Sequence, residues 1–457
     1  MSMLSEIPRD PRHVVVIVGG AVAGSEAAAV CAERGLLAVV VEQNDRPFGK
    51  IEDGLPRWHA KLRDKEYARV GENLKKPGVL FVPSTALGKD IEVQALVQQW
   101  GASAVLLASG AWRDRTLPVS GASELEGSGL VYQNSFIYWY NHYPDSDFDG
   151  QRFEITDGTI VVGGGLASID VVKVLNFELY KRALARKGIA VTSLDLEHAG
   201  IPKTLDKHGL TQEELGVKGC TLYYRRDKRS MPLATPPPKA TEAQRAKIGD
   251  VRAKVLDKVI AKYGVRFVGN HAPSEALVED GRMVGLKFQK TATIDGKLQA
   301  LDGEFVDVRA PVVISSIGSI PLAIPGIPMK GELIDFASWD TGEVNGLPGV
   351  FGLGNALTGK GNIKDSRKNA ALISQQVLEN YLGVGDGEAP DVDASDARKA
   401  AEAALDQVQQ RPVLDSVGIE NLLQKVQEQW KRTGYDGDFD VWIKKVMPTG
   451  EEQPGQP

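Results

Sequence analysis

Along the chain, short and almost wholly apolar runs alternate with longer segments whose apolar positions recur every three or four residues. Residues 13–18 (HVVVIV) read as a buried strand, 24–34 as an Ala- and Glu-rich helix, and 36–42 (LLAVVVE) as a second buried strand. Together they make one βαβ unit. A helix at 62–76 and strands at 79–82 and 103–108 continue it. The pattern restarts at 159–165 (TIVVGGG), with a helix over 167–184 and a strand at 220–225 (CTLYYR). A loop at 229–240, a helix at 242–263, several short strands up to 312–318, a strand at 348–355 and a helix at about 365–381 follow. This alternation predicts an α/β protein with two Rossmann-like, parallel-sheet domains. Beyond an acidic linker at 385–396, Ile419, Leu422, Leu423, Val426 and Trp430 fall at helical spacing after a cap at Asp415 or Ser416. That stripe docks either on the same chain or on a partner.

Composition narrows the chemistry. A chain of 457 residues divides into roughly three domain-sized pieces. With 54 basic and 60 acidic side chains the net charge is −6, which offers nucleic acid no global basic field. The opening MSMLSEIPRD lacks the pattern of a signal peptide, and no early apolar run is long enough to span a bilayer, so a cytoplasmic protein with no membrane partner is expected. Cys31 and Cys220 lie too far apart for a CxxC pair, and a cluster usually needs four thiolates. His198 and His208, with Asp195, Glu197 and Glu213, match no ligand spacing, so no metal is expected. Redox chemistry here requires a borrowed cofactor.

The glycines supply the places for one. Gly19-Gly20-Ala21-Val22-Ala23-Gly24 lies between a strand and a helix, where backbone N–H groups at a helix N-terminus can hold a pyrophosphate. Its middle position, usually glycine, is Ala21. Glu42 ends the next strand, where a carboxylate can bind ribose hydroxyls. Gly163-Gly164-Gly165-Leu166-Ala167-Ser168 opens the second unit, with Ser168 as the third small residue. There the following strand ends in Arg225-Arg226, and two guanidiniums suit a 2′-phosphate. Opposite charge at the two ribose positions points to FAD first and NADP(H) second.

These motifs resemble a known family. Pro47-Phe48-Gly49 with Gly54 and His59 is similar to adrenodoxin reductase and related ferredoxin–NADP reductases, as is Trp139-Tyr140-Asn141 followed by Pro144. Tyr224-Arg225-Arg226 with Met231-Pro232 is closer to the glutamate synthase small subunit. VLLASGA (105–111), containing Gly110, and GVFGLGN (349–355) resemble the two flavin-domain closing motifs of both. The resemblance implies a discontinuous FAD-binding domain at 1–120 and 321–385, an NADPH-binding domain at 121–320, and a linker with a helical tail at 386–457. It also implies that Gly354 and Asn355 approach the FAD pyrophosphate and ribitol, with Gly49 and Gly110 also in the cofactor site and Gly361 and Ile363 near the flavin ring. Asn355 stands where the family usually has Asp, and residues 357–361 lack its Trp and Gly-Pro.

Hydride transfer between two cofactors asks for stacking and distance control more than for acid–base groups. His59 is the candidate catalytic residue, as a proton relay beside a flavin or as an ordering histidine. The resemblance implies an acidic, ferredoxin-like carrier as acceptor, and Arg57, His59, Lys61, Arg63, Lys65 and Arg69 form a basic patch that would draw it. The alternatives are a flavoprotein subunit feeding another oxidoreductase, or a nucleotide-binding sensor without turnover.

Overall fold

The computed structural model describes residues 3–145, 148–234, 241–339, 341–357, 395–408 and 411–447, the side chains of Met3, 242–246 and 395–397 excepted. Gly361, Ile363 and the helix expected at 365–381 lie outside the described residues.

The first apolar runs form a five-stranded parallel sheet. At its centre is β1 (Val14–Val18), flanked by β2 (Leu37–Val41) and then β3 (Val79–Val82) on one side. On the other side lie β4 (Ala104–Leu107) and the late strand Val350–Gly352. Every residue of these strands is buried, as a sheet covered on both faces requires. The helix Val22–Glu33 covers one face, and Ala27, Ala28 and Cys31 bring it close.

The chain leaves this unit through β5 (Arg113–Asp114) and builds a second parallel sheet. Its strands are β6 (Leu130–Tyr132), β7 (Ile160–Gly163), β8 (Thr221–Tyr223) and β9 (Arg266–Val268). The short strands expected before 312 are instead a long antiparallel meander: β10 (His271–Glu279), β11 (Arg282–Ile294) and β12 (Lys297–Arg309). Its outer strand is largely exposed, Phe305 and Val306 included. β13 (Val313–Ser316) then slots between β6 and β7. The chain returns through β14 (Ser319–Ile320), antiparallel to β5 in the pairs Asp114–Ser319 and Arg113–Ile320. The second sheet is thus an insertion hung on a two-strand neck. The polar stretch 188–218 holds three short helices, two of them with Thr capping boxes at Thr192 and Thr211.

The C-terminal helices are part of the first unit. Ala401, Ala404, Leu405 and Val408 of the helix Ser395–Val408 join its core, so the expected linker gives way to helix at residue 395. In the helix Ser416–Thr433, capped by Asp415 on the Gly418 N–H, the stripe Ile419, Leu422, Leu423, Val426 and Trp430 is buried in the same core. Each such side chain contributes about 1.5–3 kcal/mol, and the stripe is occupied by this chain itself.

Candidate active site

At the first glycine turn the backbone leaves no room for side chains. Gly19 has φ +100, and a Cβ there would lie 2.6 Å from the Ala108 carbonyl oxygen; one at Gly24 would fall 1.7 Å from that of Gly19. Ala21 caps the helix Val22–Glu33. Its methyl faces Gly49, where a Cβ would come within 2.9 Å, so the alanine is accommodated by a glycine elsewhere. Gly354, at φ +55, lies against Ala23 at the start of the same helix, a Cβ there meeting it at 2.8 Å. Glu42 is buried against the turn: Oε2 accepts the Gly20 N–H at 2.8 Å and Oε1 the Asn44 N–H at 2.9 Å. Burial pushes its pKa up to about 7, against the pull of those N–H groups.

The second turn is more open. A Cβ at Gly163 would strike the Ser316 carbonyl at 2.4 Å, and one at Gly164 the Tyr224 ring at 2.3 Å. Gly165, which caps the helix Leu166–Ala185 in extended conformation, has no atom within 4 Å of where a Cβ would stand. Ser168 donates its hydroxyl to the Gly165 carbonyl at 2.6 Å, leaving the helix N-terminus clear. Arg225 and Arg226 follow β8 in a bend, their carbonyls held by Thr291 Oγ1 (2.7 Å) and the Asn270 N–H (3.0 Å). Arg225 is exposed, and the buried Nε of Arg226 has no hydrogen-bond partner among the described residues.

Between the units a cleft of about 350 Å³ is lined by Lys50, Ala111, Arg115, Gly318, Ser319, Pro321 and Asn355. Asn355 therefore reaches the same space as the neck, and Gly110 lies beside it, a Cβ there meeting the Trp112 Nε1 at 3.3 Å. Lys50 was not singled out from sequence. Its Nζ donates to Asn134 Oδ1 (3.1 Å) and Ser319 Oγ (3.0 Å) and lies 5.6 Å from the Trp112 ring centroid. Burial lowers its pKa, and burial likewise pushes neighbouring Asp114 up to about 6. Only the position of Lys50 directly after Gly49 hinted at this group; the neck that gathers it leaves no sequence period.

His59 sits in the seam between the two units. It is 6 % exposed, does not line the cleft, and accepts the Trp58 indole N–H on Nε2 at 3.1 Å, with Asp170 Oδ1 of the second unit 3.4 Å away. Trp58 belongs to the second unit's core, its ring 5.1 Å from that of Phe177. In return, the Asn141 amide donates to the Glu52 and Leu55 carbonyls at 2.9 and 3.0 Å. His142 bridges Asp53 and Asp145 at 2.9 Å each. Burial opposes its charge, yet those two carboxylates hold it up at about 9. Within the expected basic patch Arg57 pairs with Asp145 and Arg69 with Glu26, both at 2.8 Å, while Lys61 and Lys65 are exposed. Among the described residues no group of His, Cys, Asp and Glu could hold a metal ion, and no helix is long and apolar enough to cross a membrane.

Two parallel sheets, each ending in a glycine turn that opens a helix, and one inserted in the other, define the two-domain Rossmann-type fold of FAD and NADP oxidoreductases. The chain is similar to the NADPH:adrenodoxin oxidoreductase of Arabidopsis thaliana, 25 % identical over 380 residues, covering 75 % of this chain and 76 % of that one. It is also similar to the glutamate synthase [NADPH] small chain of Mycobacterium tuberculosis, 24 % identical over 394 residues, covering 81 % and 69 %. Among solved structures, Mycobacterium tuberculosis FprA in complex with NADPH shares the fold, with a TM-score of 0.58 at 18 % identity, covering 95 % of this chain and 89 % of that one. No family model matches. The likeness is to the adrenodoxin reductase and glutamate synthase small-chain family to which the motifs pointed.

Proposed function

We propose that this chain is an NADPH-dependent FAD oxidoreductase, holding FAD at the first glycine turn and NADP(H) at the second, and exchanging electrons with an acidic, ferredoxin-like carrier. The observation that carries the reading is the contrast between the turns: a buried carboxylate, Glu42, backs one, and Arg225 with Arg226 follows the other. The activities named for the relatives support it.

The residues fit both groups. Backbone N–H groups at the starts of the helices Val22–Glu33 and Leu166–Ala185 suit pyrophosphates. Glu42 would accept ribose hydroxyls, and the unpartnered Arg226 Nε would gain a phosphate oxygen. When bound, the two cofactors supply hydride transfer between nicotinamide and flavin. Asn355 would orient the flavin-side ligand from the cleft, and Lys50 would present a positive Nζ–H donor there. His59, tied to Trp58 and Asp170, would set the relative position of the units and need not carry a proton. Gly361 and Ile363 keep their proposed place near the flavin by resemblance alone. A cytoplasmic location belongs to the same proposal.

The test is an anaerobic absorbance titration of the purified protein with NADPH and then NADH. Bleaching of a flavin spectrum by NADPH at far lower concentration supports the reading; a flavin that neither nucleotide reduces overturns it. A second reading, a subunit feeding another oxidoreductase, is favoured by the glutamate synthase small-chain relative. Stable co-purification with a second chain would select it.

A further inference from the structure

We infer that the helices Ser416–Thr433 and Phe439–Val446 complete the adenosine half of the first dinucleotide site by fixing the two loops that flank Glu42. The inference rests on the reading that this site takes FAD. In a parallel sheet the ligand lies beyond the carboxyl ends of the strands. With Glu42 at the end of β2, an adenosine there faces two loops: residues 43–46 after β2 and residues 83–86 after β3.

Those loops hold each other and the carboxylate. The Ser84 N–H donates to the Asn44 carbonyl at 2.9 Å, and the Thr85 N–H to that of Glu42 at 2.8 Å. The Asn44 N–H in turn fixes Glu42 Oε1. Ser84 stands at φ +49, a conformation a serine keeps only when its surroundings impose it.

The C-terminal helices impose it from outside. Arg432 donates through Nη2 to the Ser84 carbonyl at 2.9 Å and to Thr85 Oγ1 at 2.8 Å, and its Nη1 lies 3.4 Å from Asp90. The Trp442 indole N–H donates to the Asp45 carbonyl at 2.7 Å, and Arg46 donates to the Val446 carbonyl at 2.7 Å. Trp430 caps the Phe81 carbonyl on edge strand β3 at 2.8 Å. Both loops are therefore set before any ligand arrives, and binding need not order them. Arg432 and Trp442 are positioning residues for Glu42.

The experiment compares holoprotein of the parent chain with Arg432→Ala, Arg432→Lys and Trp442→Phe. Three quantities are read: the rate of FAD release on dilution, from recovered flavin fluorescence; the competition of ADP and of FMN against FAD rebinding; and NADP+ affinity. Arg432 is substantially exposed at its side chain, so its alanine variant should keep the fold. The expected result for Arg432→Ala is about tenfold faster FAD release, less than two charge-assisted hydrogen bonds are worth because both act on the ligand through the loops. ADP competition should weaken in parallel, FMN competition and NADP+ affinity should hold within about twofold, and Arg432→Lys should recover part of the loss. Trp442→Phe should act in the same sense and more weakly. Unchanged FAD release overturns the inference, and so does equal weakening of ADP, FMN and NADP+, which marks general loosening. A parent protein that holds no FAD overturns the first-site reading itself; one that holds FAD beside variants that lose none overturns this inference alone.

Discussion

The two glycine turns look alike in sequence and differ in what surrounds them. At the first, every glycine is hemmed in: Gly19 by Ala108, Gly20 by Pro47, Gly24 by the Gly19 carbonyl. At the second, Gly163 and Gly164 are as tightly placed, whereas Gly165 faces open space. The first turn also has a carboxylate, Glu42, built into the protein's own hydrogen bonds through Gly20 and Asn44. The second has two guanidiniums, one exposed and one whose buried Nε has no partner among the described residues. The lesson concerns exchange: a prebuilt, closed cradle suits a ligand that stays, and an open helix end with under-used cations suits one that comes and goes.

The sharpest way to break this contrast is Gly24→Ala. A methyl 1.7 Å from the Gly19 carbonyl forces the helix off the sheet, and we expect a loss of about 3 kcal/mol or more together with loss of the first-site ligand. Urea denaturation at an unchanged midpoint would show that the turn is looser than its geometry. Next in size is Arg226→Glu, expected to weaken NADPH about 100-fold and NADH hardly at all. Equal losses for the two nucleotides, by fluorescence titration, would remove the 2′-phosphate role.

Glu42→Gln tests the built-in carboxylate through pH. Burial raises its pKa to about 7, so between about pH 4.5 and 7 the folded protein holds a proton that the unfolded chain has released. Stability should fall as pH rises through that window, by on the order of 2 kcal/mol once relaxation is allowed for. The glutamine variant should lack this component. Identical pH slopes in ligand-free urea unfolding would argue against it. The smallest effect is expected at Gly165→Ala, where the backbone is extended and the space free. Stability should stay within about 0.5 kcal/mol, while NADPH affinity drops about tenfold if, as proposed, phosphate approaches the backbone where the methyl would stand. Affinity unchanged in that variant would move the phosphate elsewhere.

What was legible in the sequence follows from how local each signal is. The turns, Glu42 and the arginine pair are read within one βαβ unit, because close backbone approach demands small residues at fixed spacing. The stripe from Ile419 to Trp430 was legible as a helix face, but not its target: Trp430 meets a carbonyl at Phe81, and Arg432 reaches Thr85. The Lys50–Asn134–Ser319 group draws on three distant segments that the neck brings together. The choice between the two roles of His59 is not legible locally, because its neighbour Asp170 comes from the inserted unit. The length of the β11–β12 ribbon is not legible locally, because its apolar positions do not alternate cleanly: Phe305 and Val306 are adjacent and both exposed, and the pairing slips between Gln289 and Thr291.

The neck has a consequence for how such a chain can be varied. Because Arg113 and Ile320 lie side by side, everything between them starts and finishes at one spot on the first unit. It can be treated as a cassette, removable or replaceable without rerouting the host sheet. The socket is equally well defined, since Trp58 plugs into the inserted core and Asn141 reads two host carbonyls. A foreign cassette that carries a matching cavity for Trp58 and an amide at the Asn141 position would inherit the docking angle of this one, and nucleotide preference could be exchanged as a module.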